Sequence, residues 1–164
     1  MRINIGTTCR LRPDDINIDI MLYPGVTDIQ ANVLALPIKS DIADEIFSCE
    51  MLEHIEHRQY INALKEMHRI LKPGGKLDIE TLDMEAIARE YMICDEAHRR
   101  FLQMQYIYGG QDRPTEFHKC GFCELTLKKD LEEIGFKDVK RFGEQGLRFT
   151  AFKKEEPYED RNNI

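Results

Sequence analysis

The sequence lacks tryptophan, and it also lacks any long apolar run, with a mean hydropathy of −0.48. A membrane-spanning helix needs about 20 consecutive apolar residues, and no stretch of this chain approaches that length. A secretory signal is missing as well, because only a short apolar pattern follows Met1 and Arg2. We therefore expect a cytoplasmic protein.

An excess of positive charge is also absent. The chain has 23 Lys and Arg against 30 Asp and Glu, which gives a net charge of −7. Proteins that coat nucleic acid neutralise phosphates with basic residues, so a nucleic-acid partner is not expected, although a local basic patch is compatible with this balance. A length of 164 residues suits one core. We predict one domain over residues 1–154 and a charged, flexible tail over residues 155–164.

The five cysteines do not suggest a disulfide framework, because their number is odd and no secretory signal precedes them. His118, Cys120 and Cys123 form an HxCxxC pattern that can bind zinc when further ligands are available. This is the chain's single CxxC pair, and the other cysteines have no matching spacing. We therefore expect no metal site, with Cys120 packed in the interior and Cys123 at the start of a helix.

Short strand patterns alternate with helical ones along most of the chain. The strand patterns lie at residues 3–5, 16–20, 29–31, 43–49, 76–81, 139–142 and 147–152, and the helical ones at residues 57–71, 83–105 and 127–134. The long helical pattern contains a break near Cys94 and Asp95. This order predicts an α/β domain with a mostly parallel sheet, helices on both faces and an antiparallel C-terminal strand pair.

Several motifs follow one another in a recognisable order. They are INIG at 3–6, INID at 16–19, ANVLALP at 31–37, ADEI at 43–46, MLEHI at 51–55 and EMHRILKPGG at 66–75. This order resembles the class I S-adenosylmethionine-dependent methyltransferases, in particular their type 11 branch. The resemblance covers residues 3–83 well and residues 117–153 less well. It implies a Rossmann-like fold and S-adenosyl-L-methionine as cofactor. Acceptors vary widely within the family, and we expect a small-molecule or glycan-type acceptor here.

The resemblance also implies roles for particular residues. Asp19, at the end of the second strand, would accept hydrogen bonds from both ribose hydroxyls, since a carboxylate has two oxygens. Gly6 would approach the methionine part of the cofactor, and Asn32 would accept a bond from the adenine amino group. Cys49 and Glu50 follow the fourth strand and would face the amino group and the sulfonium, where a carboxylate suits a cation.

The chain departs from the family in the turn after its first strand. That turn has one glycine, Gly6, where the family has two or three, and only about ten residues separate the first two strands. A parallel crossover takes about a dozen residues or more, usually with a helix, so we predict that the first crossover helix is missing. Two interpretations stay open: a methyltransferase, or a catalytically degenerate relative that binds the cofactor or a partner. A dinucleotide-dependent oxidoreductase is disfavoured because the GxGxxG spacing is absent.

Two candidate catalytic residues lie in the loop after the long helical pattern. Glu116 and His118 could each act as general base for an acceptor hydroxyl, and a neutral histidine suits this task near pH 7. Glu53 and His54 lie one turn beyond Glu50. We expect a structural or partly exposed position for these two rather than a catalytic one.

Overall fold

The computed structural model describes residues 1–7, 10–143 and 146–155. These residues form one seven-stranded sheet with the order β3-β2-β1-β4-β5-β7-β6. Its strands are β1 (Arg2–Ile5), β2 (Ile16–Asp19), β3 (Ile29–Gln30), β4 (Ala43–Cys49), β5 (Leu71–Thr81), β6 (Phe136–Arg141) and β7 (Leu147–Lys153). The first five strands run parallel, and β7 is antiparallel to both β5 and β6. The predicted α/β fold class is confirmed.

The helices follow the predicted order. They are α1 (Tyr60–Ile70), α2 (Met84–Ile93), α3 (Glu96–Leu102) and α4 (Glu124–Ile134), with a 3-10 turn at Leu52–His54 and a π-helical turn at Gln103–Ile107. The long helical pattern is broken as predicted, because the Asp95 side chain accepts a bond from His98 N and starts α3 anew. Helix α4 ends at Gly135, whose φ of 118° requires glycine. Most of the predicted tail, residues 156–164, lies outside the described residues.

The first crossover has lost its helix, as the sequence predicted. The described residues between β1 and β2 contain no helix, and neither do those between β2 and β3. Short loops nevertheless join three parallel strands, in which Ile3 pairs with Ile16 and Ile18 pairs with Ile29. The helical covering of the sheet is therefore concentrated towards β4–β7.

One face of the sheet is apolar and packs against α1 and α4. Helix α1 buries Ala63, Leu64, Met67 and Ile70 at helical spacing, and α4 buries Leu127, Leu131 and Ile134. Both sets join strand residues such as Ile46, Ile79 and Phe149 in one core. We call this side the helix-covered face.

The opposite side of the sheet carries polar and charged residues, and we call it the charged face. Its members alternate with the core residues along the strands: Asn4, Asn17, Glu45, Phe47, Lys76, Asp78, Glu80 and Arg148. Arg148 donates two bonds of 2.8 Å to the Asp78 carboxylate. The connection between β1 and β2 crosses this face, since Asn4 Nδ2 donates to Arg10 O and Arg12 stacks over the Phe47 ring at 4.8 Å. The β1–β2 connection and these ion pairs thus lie on the face where helices would otherwise pack.

Candidate functional site

A cavity of about 370 Å³ lies beyond the carboxyl ends of β1, β2 and β4. This is the edge at which open parallel sheets bind ligands, and the volume falls in the range of about 300–1,000 Å³ found for small-molecule sites. Among the described residues that border the cavity are Gly6, Asp19, Asn32, Glu50, His54 and Glu116. The structure thus brings four of the five predicted cofactor residues to one cavity.

Gly6 turns the chain away from β1 at the floor of the cavity. Its φ is +80°, and a Cβ atom placed there would lie 2.7 Å from Met51 Cβ. Its N–H donates to Ile18 O at 3.0 Å, which keeps the turn against β2. Positive φ and close contact with Met51 both require glycine at this position.

Asp19 ends β2 with its carboxylate at the cavity wall, where the residue is 9% exposed. Its Oδ2 accepts bonds from Thr7 N at 2.9 Å and Thr7 Oγ1 at 3.1 Å, and its Oδ1 accepts one from Met21 N at 2.9 Å. A carboxylate offers about four acceptor positions, and the described residues occupy three of those of Asp19. A ligand with two hydroxyls would have to share or replace a contact from Thr7.

Asn32 and Glu50 both border this cavity. The Asn32 side chain is exposed, and its Oδ1 accepts a bond from Leu34 N at 2.9 Å, which leaves one acceptor position on that oxygen. Glu50 has a φ of 47°, in the left-handed region that non-glycine residues rarely adopt. Its N–H is held by Glu80 O at 2.9 Å. Strained backbone of this kind persists where surrounding contacts fix it, often at functional sites.

Cys49 does not reach the cavity, in contrast to its predicted place beside Glu50. Its side chain is 1% exposed, and its backbone pairs with Glu80 inside the sheet. It is not among the described residues that border the cavity. The reason is the two-residue alternation of a strand: Cys49 is still part of β4, and the chain leaves the sheet only at Glu50.

Residues 113–116 form a wall that was not expected to approach the cofactor side. Arg113, Thr115 and Glu116 border the cavity, opposite Met21 and Tyr23. Arg113 Nη1 donates to the Tyr23 hydroxyl at 3.5 Å, which links the two loops across the opening. Glu116, one of the predicted bases, therefore lies at the cofactor cavity.

A second cavity, of about 380 Å³, adjoins the first. It is bordered by Glu50, Glu53, His54, Leu82, Phe101, Gln105, Tyr106 and His118. Glu50 and His54 border both cavities, so ligands in the two would be neighbours. His118, the other predicted base, borders this second cavity, whereas Glu116 borders the first. Phe101 comes from α3, and Gln105 and Tyr106 come from the π-helical turn that follows it.

Glu53 is more deeply buried than its place beside an exposed loop suggested. It is 1% exposed, and its Oε2 accepts a bond of 2.8 Å from Thr81 Oγ1. Burial raises the pKa of this carboxyl to about 7. Burial also lowers the pKa of His54, whose Nδ1 lies 3.2 Å from Phe117 O. Both residues border the second cavity, which their predicted structural or partly exposed positions did not indicate.

The HxCxxC pattern is not assembled as a zinc site. Cys120 Sγ lies 3.2 Å from Ile55 O and 3.5 Å from Leu52 O and packs against the core, as predicted. Burial raises the pKa of its thiol to about 12, which disfavours the thiolate that zinc requires. Cys123 precedes α4 at the predicted N-cap, with its Sγ 3.1 Å from Thr126 Oγ1. Within the described part of the chain, no helix is long and apolar enough to cross a bilayer.

Comparison with known proteins points to one class of enzyme. Residues 11–79 match the family described as "Methyltransferase domain". A tRNA U34 carboxymethyltransferase of Hydrogenovibrio crunogenus is 28% identical over 101 residues, which are 62% of this chain and 30% of that protein. The chain spans about a third of the length of the first curated relatives that it matches.

Solved structures share the fold along almost the whole chain. A SAM-dependent methyltransferase from Archaeoglobus fulgidus has a TM-score of 0.64 at 14% identity, and the match covers 93% of this chain and 85% of that one. The 1,6-didemethyltoxoflavin-N1-methyltransferase of Burkholderia thailandensis, solved with its substrate and S-adenosylhomocysteine, has a TM-score of 0.59 at 17% identity over 93% of this chain and 70% of that one. At these identities the likeness concerns the fold.

Proposed function

We propose that this chain, as a member of the class I S-adenosylmethionine-dependent methyltransferase family, binds S-adenosyl-L-methionine in the 370 Å³ cavity. The methyl acceptor would then be held in the adjoining cavity. The observation that carries this proposal is the wall shared by the two cavities, formed by Glu50 and His54. We take residues 1–154 as a single domain for this activity.

The residues of the first cavity suit the proposed cofactor. When bound, S-adenosyl-L-methionine supplies a methyl group on a positively charged sulfonium. Asp19 offers its carboxylate oxygens to the ribose, and the Asn32 amide offers an acceptor and two donors to the adenine edge. Gly6 leaves room for close approach of the methionine part, and the Glu50 carboxylate provides a negative charge for a cationic ligand. Cys49 is left out of this set because it is buried in β4.

The second cavity suits an acceptor of modest size. Leu82, Phe101 and Tyr106 contribute apolar and aromatic surface to it, and the rest of its lining is polar: Glu50, Glu53, His54, Gln105 and His118. Glu116 and His118 remain the proposed bases, one beside each cavity. We propose a small-molecule or glycan-type acceptor. A relative acts on tRNA according to its name, so RNA belongs among the acceptors to be screened.

Isothermal titration with S-adenosylmethionine and S-adenosylhomocysteine tests the cofactor assignment. We expect saturable binding to the wild-type chain, and Asp19→Asn should weaken it by about 1–3 kcal/mol because a charged acceptor is lost. Asp14→Asn is the matched control, since Asp14 is an exposed aspartate that does not border the cavity. Absence of binding heat at millimolar ligand would favour the catalytically degenerate relative, and equal affinities for both variants would remove Asp19 from the site.

A further inference from the structure

Three side chains around the second cavity have the spacing of a metal site. Glu53, His54 and His118 each offer one ligand atom, and these atoms all lie within 4.8 Å of one another. We propose that this triad binds a divalent transition-metal cation of the Zn²⁺ type at the wall between the two cavities. The proposal replaces the expectation, drawn from the cysteine pattern alone, that the chain has no metal site.

Each of the two histidine rings is held at Nδ1 by a backbone carbonyl. His118 Nδ1 lies 2.7 Å from Tyr106 O, and His54 Nδ1 lies 3.2 Å from Phe117 O. A carbonyl oxygen only accepts hydrogen bonds, so each Nδ1 carries the proton and each Nε2 keeps a free lone pair. Metal-binding histidines characteristically donate their other ring N–H to such a group. The ring centroids lie 4.9 Å apart.

The carboxylate of the triad is held in the same manner. Thr81 Oγ1 donates to Glu53 Oε2 at 2.8 Å, so the hydroxyl fixes one oxygen and leaves Oε1 for another partner. Glu53 is 1% exposed, and a carboxylate at that depth gains strongly from a neighbouring cation. Glu50 borders the same cavity and adds a second acidic group near the triad.

The loop that carries His118 is bound to the turn that carries the other two ligands. Lys119 N and Cys120 N both donate to Glu53 O, at 2.8 and 3.3 Å. Gly109 lies against this loop with a φ of +78°, and a Cβ atom there would lie 2.0 Å from Glu116 O and 3.0 Å from His118. Backbone contacts therefore fix the position of His118, the third ligand, although it lies in a loop.

The donor set indicates which class of cation fits. Two imidazole nitrogens and one carboxylate oxygen suit zinc and related first-row ions, whereas Mg²⁺ prefers oxygen ligands alone. Three protein ligands leave a fourth position for water or substrate, as in catalytic zinc sites. The triad borders the second cavity, so such a position would be accessible to an acceptor there.

The chemical role of this site rests on the proposed function, because with a cation bound His118 is a ligand and Glu116 alone stays as the proposed base. An acceptor hydroxyl held beside the cation loses its proton to water more readily, because the charge stabilises the oxygen anion. The oxygen then forms a bond to the methyl carbon while the carbon–sulfur bond breaks, and the sulfonium leaves as a neutral thioether. Charge and atoms balance without an oxidant or reductant.

Titration of the metal-free chain with Zn²⁺ tests the site without any cofactor. We expect one equivalent to bind to the wild type and His118→Gln and Glu53→Gln to bind at least about tenfold more weakly. His57→Gln is the control and should bind as the wild type does, since His57 is exposed and outside the triad. If Glu53→Gln does not fold, His118→Gln alone tests the metal site, because His118 is half-buried in a loop. Equal affinities for wild type and His118→Gln, or no binding by the wild type, would overturn the proposal.

Co²⁺ absorption and cofactor titration separate the alternatives. We expect ligand-field bands without thiolate charge transfer, and unchanged binding by Cys120→Ser. Thiolate bands, or loss of binding in Cys120→Ser, would move the metal to the HxCxxC pattern and overturn the triad. A chain that binds Zn²⁺ at the triad but not S-adenosylmethionine would retain the metal site and refute the proposed function, and the reverse result would refute the metal site alone.

Discussion

The two faces of the sheet are stabilised by different means. On the helix-covered face, residues such as Ile79 and Phe149 are fully buried against α1 and α4. On the charged face, their strand neighbours Asp78 and Arg148 form an ion pair with two hydrogen bonds. Burial of apolar area contributes strongly to stability because it removes that area from water. A partly exposed ion pair contributes little, because its hydrogen bonds replace bonds to water of similar strength.

This difference shows what loss of crossover helices does to a parallel sheet. Without a packed helix, apolar side chains on that face would be exposed to water. Charged side chains that pair with one another across neighbouring strands take their place. Phe47 illustrates the compromise, because it is 4% exposed yet covered by the guanidinium groups of Arg12 and Arg148. We therefore expect the two faces to differ in mutational sensitivity and in their response to pH.

The largest effect should come from the helix-covered face. Phe149→Ala removes a fully buried ring and should lower the free energy of unfolding by about 3–5 kcal/mol in denaturant titrations. The matched control is Phe142→Ala, because Phe142 is 59% exposed and its loss should cost less than about 1 kcal/mol. Similar losses for the two variants would contradict the contrast between the faces.

His68 gives the helix-covered face its own pH dependence. Burial, and then the charge of Lys153, lower the pKa of His68 to about 4, and its ring packs edge-on against Phe136. The unfolded chain therefore binds a proton near pH 6.5 that the folded chain accepts only near pH 4. Stability should be full above pH 6.5 and fall by about 1–3 kcal/mol as the pH drops to 4.

Thermal melts of wild type, His68→Gln and His57→Gln across this range provide the measurement. The fall in melting temperature attributable to His68 should shrink in His68→Gln and persist in His57→Gln, since His57 is exposed. Identical pH profiles for all three proteins would show that burial of His68 does not control acid stability.

The charged face should respond least. Burial raises the pKa of Asp78, but the bonds from Arg148 outweigh this and lower the pKa overall. The pair therefore contributes above the ordinary aspartate pKa, and its contribution disappears as the pH falls below that value. Asp78→Asn should cost about 1–2 kcal/mol at pH 7, since one charge of a half-buried pair is lost.

A double-mutant cycle with Arg148→Met isolates the pair, and Arg10→Gln is the exposed control. Arg10 Nη1 lies 3.2 Å from Glu80 Oε2, but its side chain is 51% exposed, so its replacement should cost less than about 1 kcal/mol. A coupling energy near zero between Asp78 and Arg148 would show that this face contributes nothing through its ion pairs.

The sequence predicted the fold because its signals were local. Alternating isoleucines in β1 and β2, the Asp95 helix start and the short spacing between the first strands all act over a few residues, and the structure agrees with each. Resemblance to a known family also named Gly6, Asp19, Asn32 and Glu50, which the structure gathers at one cavity.

The second cavity could not be predicted in the same way. His54 and His118 are 64 residues apart in the chain, and contacts between distant segments bring them together, such as the bonds from Lys119 N and Cys120 N to Glu53 O. Nor does a hydrophobic pattern reveal that Glu53 is buried, because its neighbours His54 and Glu56 are polar and less buried. Cys49 is the last residue of β4, as the strand pattern at residues 43–49 predicted, and its side chain is buried there, whereas Glu50 borders the cavity.

The helix-free connection between β2 and β3 has a consequence for adaptation. Met21 and Tyr23 line the cavity from a segment that continues into an exposed turn at Pro24 and Gly25. The backbone bonds of this turn are local, from Val26 N and Thr27 N to Tyr23 O, so we expect longer or bulkier segments to be accommodated there without disturbing the sheet. A compact scaffold of this kind can acquire a new ligand preference by exchanging a handful of surface residues.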